Sequence, residues 1–273
     1  MKLELIRFFK VESPLLQFAK NVTSQNGEDG IIEHIVEVIA PEHKYCVEFG
    51  AWDGKHFSNC FNLLTNRAWK GAMIEANTDK FQQLKATYSA APQVACINKL
   101  VEFEGENSLD NILGQVDAPK DIGVLSIDID GNDYYVWESL KKFTPELVII
   151  EFNPTIPNDV IFVQERSINV SQGCSLLSLV CLGREMGYEL ACCTAWNAFF
   201  VKKAKLGALG VKNNFIYNLY APIQDGRIFQ GYDSYVHVLG MDSLIWKGGT
   251  KLASGDFQVL PESLRSWGDA QTK

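Results

Sequence analysis

Four short apolar runs in this 273-residue chain each end in a carboxylate. Glu48 lies in Tyr45-Cys-Val-Glu-Phe49, and Glu75 closes Gly71-Ala-Met-Ile-Glu75. Asp128 and Asp130 follow Val124-Leu-Ser-Ile, and Glu151 closes Leu147-Val-Ile-Ile. Runs of this kind read as parallel strands, and ligands bind at the carboxyl ends of such strands. If the topology brings the four ends together, their acids converge on one crevice.

The first run leads into a turn with Gly50 and Gly54, and Trp52 and Asp53 lie between them. A pyrophosphate needs an uncharged turn rich in N–H donors. Glu48 and Asp53 would repel a diphosphate and suit a cation. Glu75, with Ala76 beside it, follows at about the twenty-residue distance at which a carboxylate reaches the hydroxyls of a bound ribose. S-adenosylmethionine has a ribose, an ammonium, a sulfonium and no phosphate, so it is the expected cofactor. A tight structural turn with surface acids is the plainer alternative.

Asp128, Asp130, Glu151 and Asn153 are all hard oxygen donors. Such a set can hold Mg²⁺ or another hard divalent ion, with Asp130, Glu151 and Asn153 as its ligands. The metal-free alternative makes Asp130 or His56 a general base. In a purely structural alternative, Asp128 caps a helix and buried hydrogen bonds hold Glu151. The polar stretch Ser24-Gln-Asn-Gly-Glu-Asp-Gly30 precedes Ile31, Ile32, Ile35, Val36 and Ile39, whose spacing predicts a helix with one buried face. Ser24, Gln25 and Glu28 are expected either to cap that helix or to cover the amino-acid end of the ligand. Glu102 or Glu104 is expected to face an adenine amino group or to be a solvated loop acid.

The elements needed to position these residues alternate. Strands are expected at 45–49, 71–75, 94–100, 124–128 and 147–151. Helices are expected at 57–66, 78–88, 108–113, 134–142 and 176–186, with a polar loop at 155–172 and a closing strand pair at 188–194 and 198–202. This pattern predicts a doubly wound, Rossmann-like α/β sheet. From residue 207 the chain is richer in Gly, Tyr and Trp, with turn signals at Gln224-Asp-Gly226 and Lys247-Gly-Gly249. The expected division is therefore a cofactor-binding domain over 1–206 with a helical lead-in at 1–20, and a small β-rich appendage over 207–273. Apolar residues make up 47% of the chain and charged ones 21%, enough for a sizeable core.

The net charge is −8 and there is no Lys/Arg run, so nucleic acid is not an expected partner. No apolar run reaches the length of a membrane span. Seven cysteines without zinc-type pairs fit free thiols in a reducing cytoplasm. Residues 1–20 are expected to be an amphipathic lead-in or a homodimer contact, and the tail to shape the acceptor pocket or a homodimer interface.

The chain resembles the FkbM-like class I S-adenosylmethionine-dependent methyltransferases, found with capsule and surface-polysaccharide biosynthesis. The resemblance rests on Ser24-Gln-Asn-Gly-Glu-Asp-Gly-Ile31, Glu48-Phe-Gly-Ala-Trp-Asp-Gly-Lys-His56 with Ser58-Asn59, and Ser126-Ile-Asp-Ile-Asp-Gly-Asn-Asp-Tyr134. Glu151-Phe-Asn-Pro154 and Asn197-Ala-Phe-Phe-Val201 are also similar. It implies that Glu48, Gly50 and Gly54 line the methionine end, that Glu75 holds the ribose and that Asp128 lies near the methyl group. It also implies O-methylation of a sugar, a nucleotide-sugar or a phosphate-type small acceptor. A third glycine common in that loop is missing, and Ala51-Trp52-Asp53 stands between the two present. Asp128-Ile-Asp130 also has the form used by metal-dependent glycosyltransferases, which is a second expectation. A non-catalytic scaffold of the same fold is a third.

Overall fold

The computed structural model describes residues 13–221, 226–232, 234–240, 243–244, 249–260 and 262–264. The first twelve residues of the lead-in and most of both tail turn signals lie outside these. The chain divides into two compact units, Met1–Pro222 and Ile223–Lys273. The composition change at 207 precedes that division, because residues 207–221, with a 3-10 helix at Lys203–Leu209 and a short α-helix at Ile216–Leu219, belong to the first unit.

The first unit is a seven-stranded sheet with helices, a doubly wound Rossmann-like α/β fold. Its strands are β1 (Tyr45–Phe49), β2 (Lys70–Glu75), β3 (Val94–Asn98), β4 (Val124–Ile127), β5 (Leu147–Glu151), β6 (Tyr188–Cys193) and β7 (Asn197–Lys202). Their order is β3-β2-β1-β4-β5-β7-β6. The first five strands are parallel, and β7 pairs antiparallel with both β5 and β6. β1 lies between β2 and β4, so the winding direction reverses there and a crevice opens beyond the strand ends.

The central strands are continuous apolar runs because helices cover both of their faces. Val47, Phe49, Leu125, Ile127, Val148, Ile149 and Ile150 are fully buried. Each such side chain contributes about 1.5–3 kcal/mol of transfer free energy. The helices are α1 (Glu28–Ile39), α2 (Phe61–Asn66), α3 (Thr78–Thr87), α4 (Leu109–Gly114), α5 (Asp133–Ser139), α6 (Leu176–Glu185) and α7 (Ile216–Leu219). α1 buries Ile31, Ile32, Ile35, Val36 and Ile39, as its spacing predicts. α3 is capped by Asn77, whose Oδ1 accepts from the N–H groups of Asp79 and Lys80.

α2 begins at Phe61 and not at the expected Phe57. Phe57 has φ +57°, and Ser58 to Cys60 are drawn onto the Glu48 carboxylate. α5 stops at Ser139, where Leu140 turns extended. The second unit contains the antiparallel pair β8 (Gly226–Gln230) and β9 (Val236–Gly240), and the short pair β10 (Ser243–Leu244) and β11 (Thr250–Lys251). All seven cysteines are free; Cys181 is exposed, Cys96 is half-buried and the rest are buried. No helix among the described residues is long and apolar enough to cross a membrane.

Candidate active site

A cleft of about 500 Å³ opens where the winding reverses. Glu48, Gly50, His56, Ser58, Glu75, Ala76, Asp128, Asp130 and Glu151 line it, and Gln25 reaches it from the segment before α1. The topology therefore brings the acids of four strand ends into one space.

Gly50 makes the convergence possible. Its φ is +73°, and a Cβ there would lie 1.7 Å from the backbone oxygen of Asp128. The ends of β1 and β4 thus touch backbone to backbone. The turn that follows is moored on α3, where Thr87 Oγ1 donates to Asp53 O and Tyr88 Oη donates to Gly54 O. Gly54 packs against Leu84 and Tyr88 beneath the turn and does not line the cleft. Asp53 does not line it either. Its Oδ1 accepts from the N–H groups of Lys55 and His56 at 2.9 and 2.7 Å. Partial burial opposes ionisation of Asp53, but these N–H bonds outweigh it and hold the carboxyl below its usual range.

Glu48 is buried and accepts from Ser58 Oγ, from Asn59 N at 2.8 Å and from Cys60 N at 3.4 Å. Burial, aided by the nearby charge of Asp29, pushes its pKa up to about 7 despite these donors. Asn59 stands behind Glu48 and also bonds Ser126 Oγ through its amide, so it supports the wall rather than lining it.

Glu75 joins β2 to the first turn. Its Oε2 accepts from Trp52 N at 2.8 Å, and its Oε1 accepts from Asn77 N at 2.7 Å. Each oxygen keeps a second lone pair for a ligand hydroxyl.

Asp128, Asp130 and Glu151 place carboxylate oxygens within 4.8 Å of one another. Desolvation comes first among the causes that drive the Asp128 and Glu151 carboxyls well above the usual range. The charges of Asp133 and Asp130 reinforce it for both, and Glu151 also feels Asp128. Glu151 Oε2 is buried with no hydrogen-bond partner, so internal hydrogen bonds do not hold that oxygen. Nor is Asp128 the cap of α5. Asp133 shapes that turn, accepting from Ile129 N at 2.9 Å and Gly131 N at 2.8 Å. Three clustered acids with one orphaned oxygen fit a hard cation. Asn153 does not line the cleft. Its amide donates to Gln172 O, and its Oδ1 accepts from Thr155 N and Oγ1, so the side chain is committed to folding the following loop.

Among the described residues before α1, Gln25 alone reaches the cleft. Ser24 Oγ donates to Asp29 Oδ2 at 2.7 Å. Glu28 is buried and accepts from Thr194 Oγ1 at 2.7 Å and Asn26 N at 2.6 Å. Glu102 lies away from the cleft and its backbone bridges to Ser108.

Sequence reasoning missed Trp52, Phe57, Lys99, Leu100, Val101 and Ile129, which also line the cleft. Lys99 to Val101 follow the end of β3, a position that the expected topology already places at the crevice. Trp52, Phe57 and Asp130 have φ of +50°, +57° and +55°. Such non-glycine residues each cost on the order of 1–3 kcal/mol and cluster at functional sites.

No protein-family model matches the chain, and no curated protein matches it. Solved structures do. A SAM dependent methyltransferase from Aquifex aeolicus is similar at 10% identity, over 63% of this chain and 89% of that one, with a TM-score of 0.38. A putative caffeoyl-CoA O-methyltransferase from Staphylococcus aureus is similar at 18% identity, over 68% and 87%, with a TM-score of 0.43. An O-methyltransferase family protein from Burkholderia thailandensis is similar at 10% identity, over 63% of this chain but 55% of that one, with a TM-score of 0.41. The fold assignment itself rests on the strand order and register given above.

Proposed function

We propose that the cleft binds S-adenosylmethionine and that the protein transfers its methyl group to an oxygen of a small acceptor. A sugar, a nucleotide-sugar or a phosphorylated metabolite of capsular polysaccharide synthesis is the acceptor class that the sequence resemblance implies. The observation that carries the cofactor reading is the charge of the cleft. Glu48, Glu75, Asp128, Asp130 and Glu151 face a space whose lining includes one lysine, Lys99. That lining suits a sulfonium and an ammonium and opposes a diphosphate, which weakens the glycosyltransferase alternative and, among the acceptors, disfavours the nucleotide-sugar.

In this reading Glu75 accepts from the ribose hydroxyls, and Leu100, Val101 and Ile129 give the adenine apolar walls. Glu48 and Gln25 face the methionine end. The cofactor supplies an electrophilic methyl carbon: the acceptor oxygen bonds to it as the sulfur–carbon bond breaks, leaving S-adenosylhomocysteine. The protein's part is alignment and proton removal. Without a metal, Asp130 or His56, both lining the cleft, takes the acceptor proton. Asp128, Asp130 and Glu151 would hold a divalent ion, which lowers the pKa of an oxygen bound to it. Asn153 leaves the ligand set proposed from the sequence.

Calorimetric titration with S-adenosylhomocysteine tests the reading. Wild type should bind in the micromolar range and Glu75→Ala should lose binding while its unfolding transition remains cooperative. Folded wild type that does not bind removes the methyltransferase reading. Mn²⁺ binding followed by electron paramagnetic resonance tests the metal. It should vanish in Glu151→Gln and persist in Asn153→Ala, and the reverse result would restore the sequence-based set.

A further inference from the structure

The cleft carries three aromatic side chains from one turn that cofactor binding does not call for. Phe57 is 51% exposed and Trp52 is 49% exposed. The His56 ring lies 3.8 Å from that of Phe57 and 6.5 Å from that of Trp52, centroid to centroid. Large aromatics ordinarily bury 150–250 Å² each, so a contiguous exposed group is a surface kept for something else. The backbone strengthens the point. Trp52 and Phe57 both have the left-handed φ that glycine adopts freely, yet the chain places bulky rings there. The arc is also fixed in place. Trp52 N is held by Glu75, Lys80 Nζ sits 4.2 Å from the centre of the Trp52 ring, and Thr23 Oγ1 bonds Ser58 O just beyond Phe57.

We propose that Trp52, His56 and Phe57 form the platform on which the acceptor lies, and that the acceptor is an uncharged ring bearing the hydroxyl to be methylated. This deepens the methyltransferase reading and rests on it. The rings supply flat apolar faces for a ring-shaped partner. The charge of the cleft sets the rest: five carboxylates and one lysine line it, and Lys99 Nζ already donates to Gln115 Oε1 at 3.1 Å. Without a bound metal, an acceptor phosphate would find a single lysine among the described lining residues, set against five acids. In the proposed reading Leu100, Val101 and Ile129 wall the adenine, which leaves the aromatic arc for the acceptor. In the transfer, the ring hydroxyl gains the methyl carbon, the sulfonium loses it and becomes a neutral thioether, and the hydroxyl proton passes to a cleft base.

Saturation-transfer difference NMR on protein saturated with S-adenosylhomocysteine tests the platform. The probes are methyl pyranosides and catechol as the two neutral ring classes, and sugar 1-phosphates and 6-phosphates as the anionic class. A neutral class should receive saturation and the phosphates should not; which neutral class responds tells a sugar from a phenol. Trp52→Ala and Phe57→Ala should each weaken the neutral ligand about five- to tenfold, with Trp52→Phe restoring most of it, and S-adenosylhomocysteine affinity should change less than threefold. Silence from both neutral classes, equal response from the phosphates, or a loss confined to S-adenosylhomocysteine would overturn the platform. Failure of wild type to bind S-adenosylhomocysteine at the outset would instead remove the parent reading.

Discussion

The α-carbon of Gly50 faces the backbone oxygen of Asp128 so closely that a Cβ there would come within 1.7 Å of it. The end of β4 that carries Asp128 is therefore seated directly on the first turn. Gly50→Ala must push the strand end carrying Asp128 away, since the blocking atom belongs to the backbone. Gly54→Ala shares the positive φ but would meet Leu84 Cδ1 and Tyr88 Cε2, which are side-chain atoms able to shift. Gly50→Ala is expected to cost roughly 3 kcal/mol or more of unfolding free energy and to abolish cofactor binding. Gly54→Ala should cost about 1–2 kcal/mol and retain binding. Urea denaturation of both variants, with titration of S-adenosylhomocysteine, checks the order. Equal losses would show that backbone strain, not the Gly50–Asp128 approach, sets the cost.

The strand ends were legible because each apolar run stops in an acid, and the parallel topology makes such ends converge whatever the details of the loops. Glu48, Glu75, Asp128, Asp130 and Glu151 all line the cleft for that reason. Residues whose role depends on a distant partner were not legible. Glu28 is taken by Thr194, which is 166 residues away in the chain. Asn153 looks like a metal ligand by type and position, yet Gln172 and Thr155 use both ends of its amide. Phe57 sits in a stretch that reads as helix, but the pull of Glu48 on the following donors delays the helix to Phe61. The exposure of Trp52 and Phe57 is a tertiary property without a local signal.

Glu48 should give the empty protein a pH dependence of definite sign. Its pKa rises from the ordinary 4.5 to about 7 on folding, because burial penalises the charged carboxylate. Between those values the folded state holds a proton that the unfolded state has released. Stability therefore falls as pH rises through the window and levels off above it. Asp128 and Glu151 shift the same way and add to the slope. A bound cation reverses the balance, so S-adenosylmethionine should bind more tightly from pH 5.5 to 8, by up to roughly tenfold per unit. S-adenosylhomocysteine, which lacks the sulfonium charge, should gain less. Glu48→Gln should flatten both trends. Calorimetry across that range decides, and identical slopes in wild type and variant would sink the assignment.

Asp29 is expected to act on the cofactor mainly through Gln25, beside its smaller charge effect on Glu48. It is buried, and one of its oxygens, Oδ2, accepts from the N–H groups of Val22, Thr23 and Ser24 at 2.7, 2.8 and 2.8 Å and from Ser24 Oγ at 2.7 Å. Lys20 N bonds Gly27 O and Gly30 N bonds Lys20 O, which closes the segment into a compact loop. Asn21 braces it from within by donating to Gln25 O at 3.1 Å. The product of this framework is a single side chain, Gln25, delivered to the cleft. Charge-assisted bonds to a carboxylate are about twice as strong as neutral ones, so Asp29→Asn should loosen the loop while leaving its composition intact. Asp29→Asn and Gln25→Ala should each weaken S-adenosylhomocysteine binding by roughly tenfold, and the double variant should be no weaker than either alone. Strict additivity in that cycle would mean that Asp29 supports the fold in general and does not position Gln25.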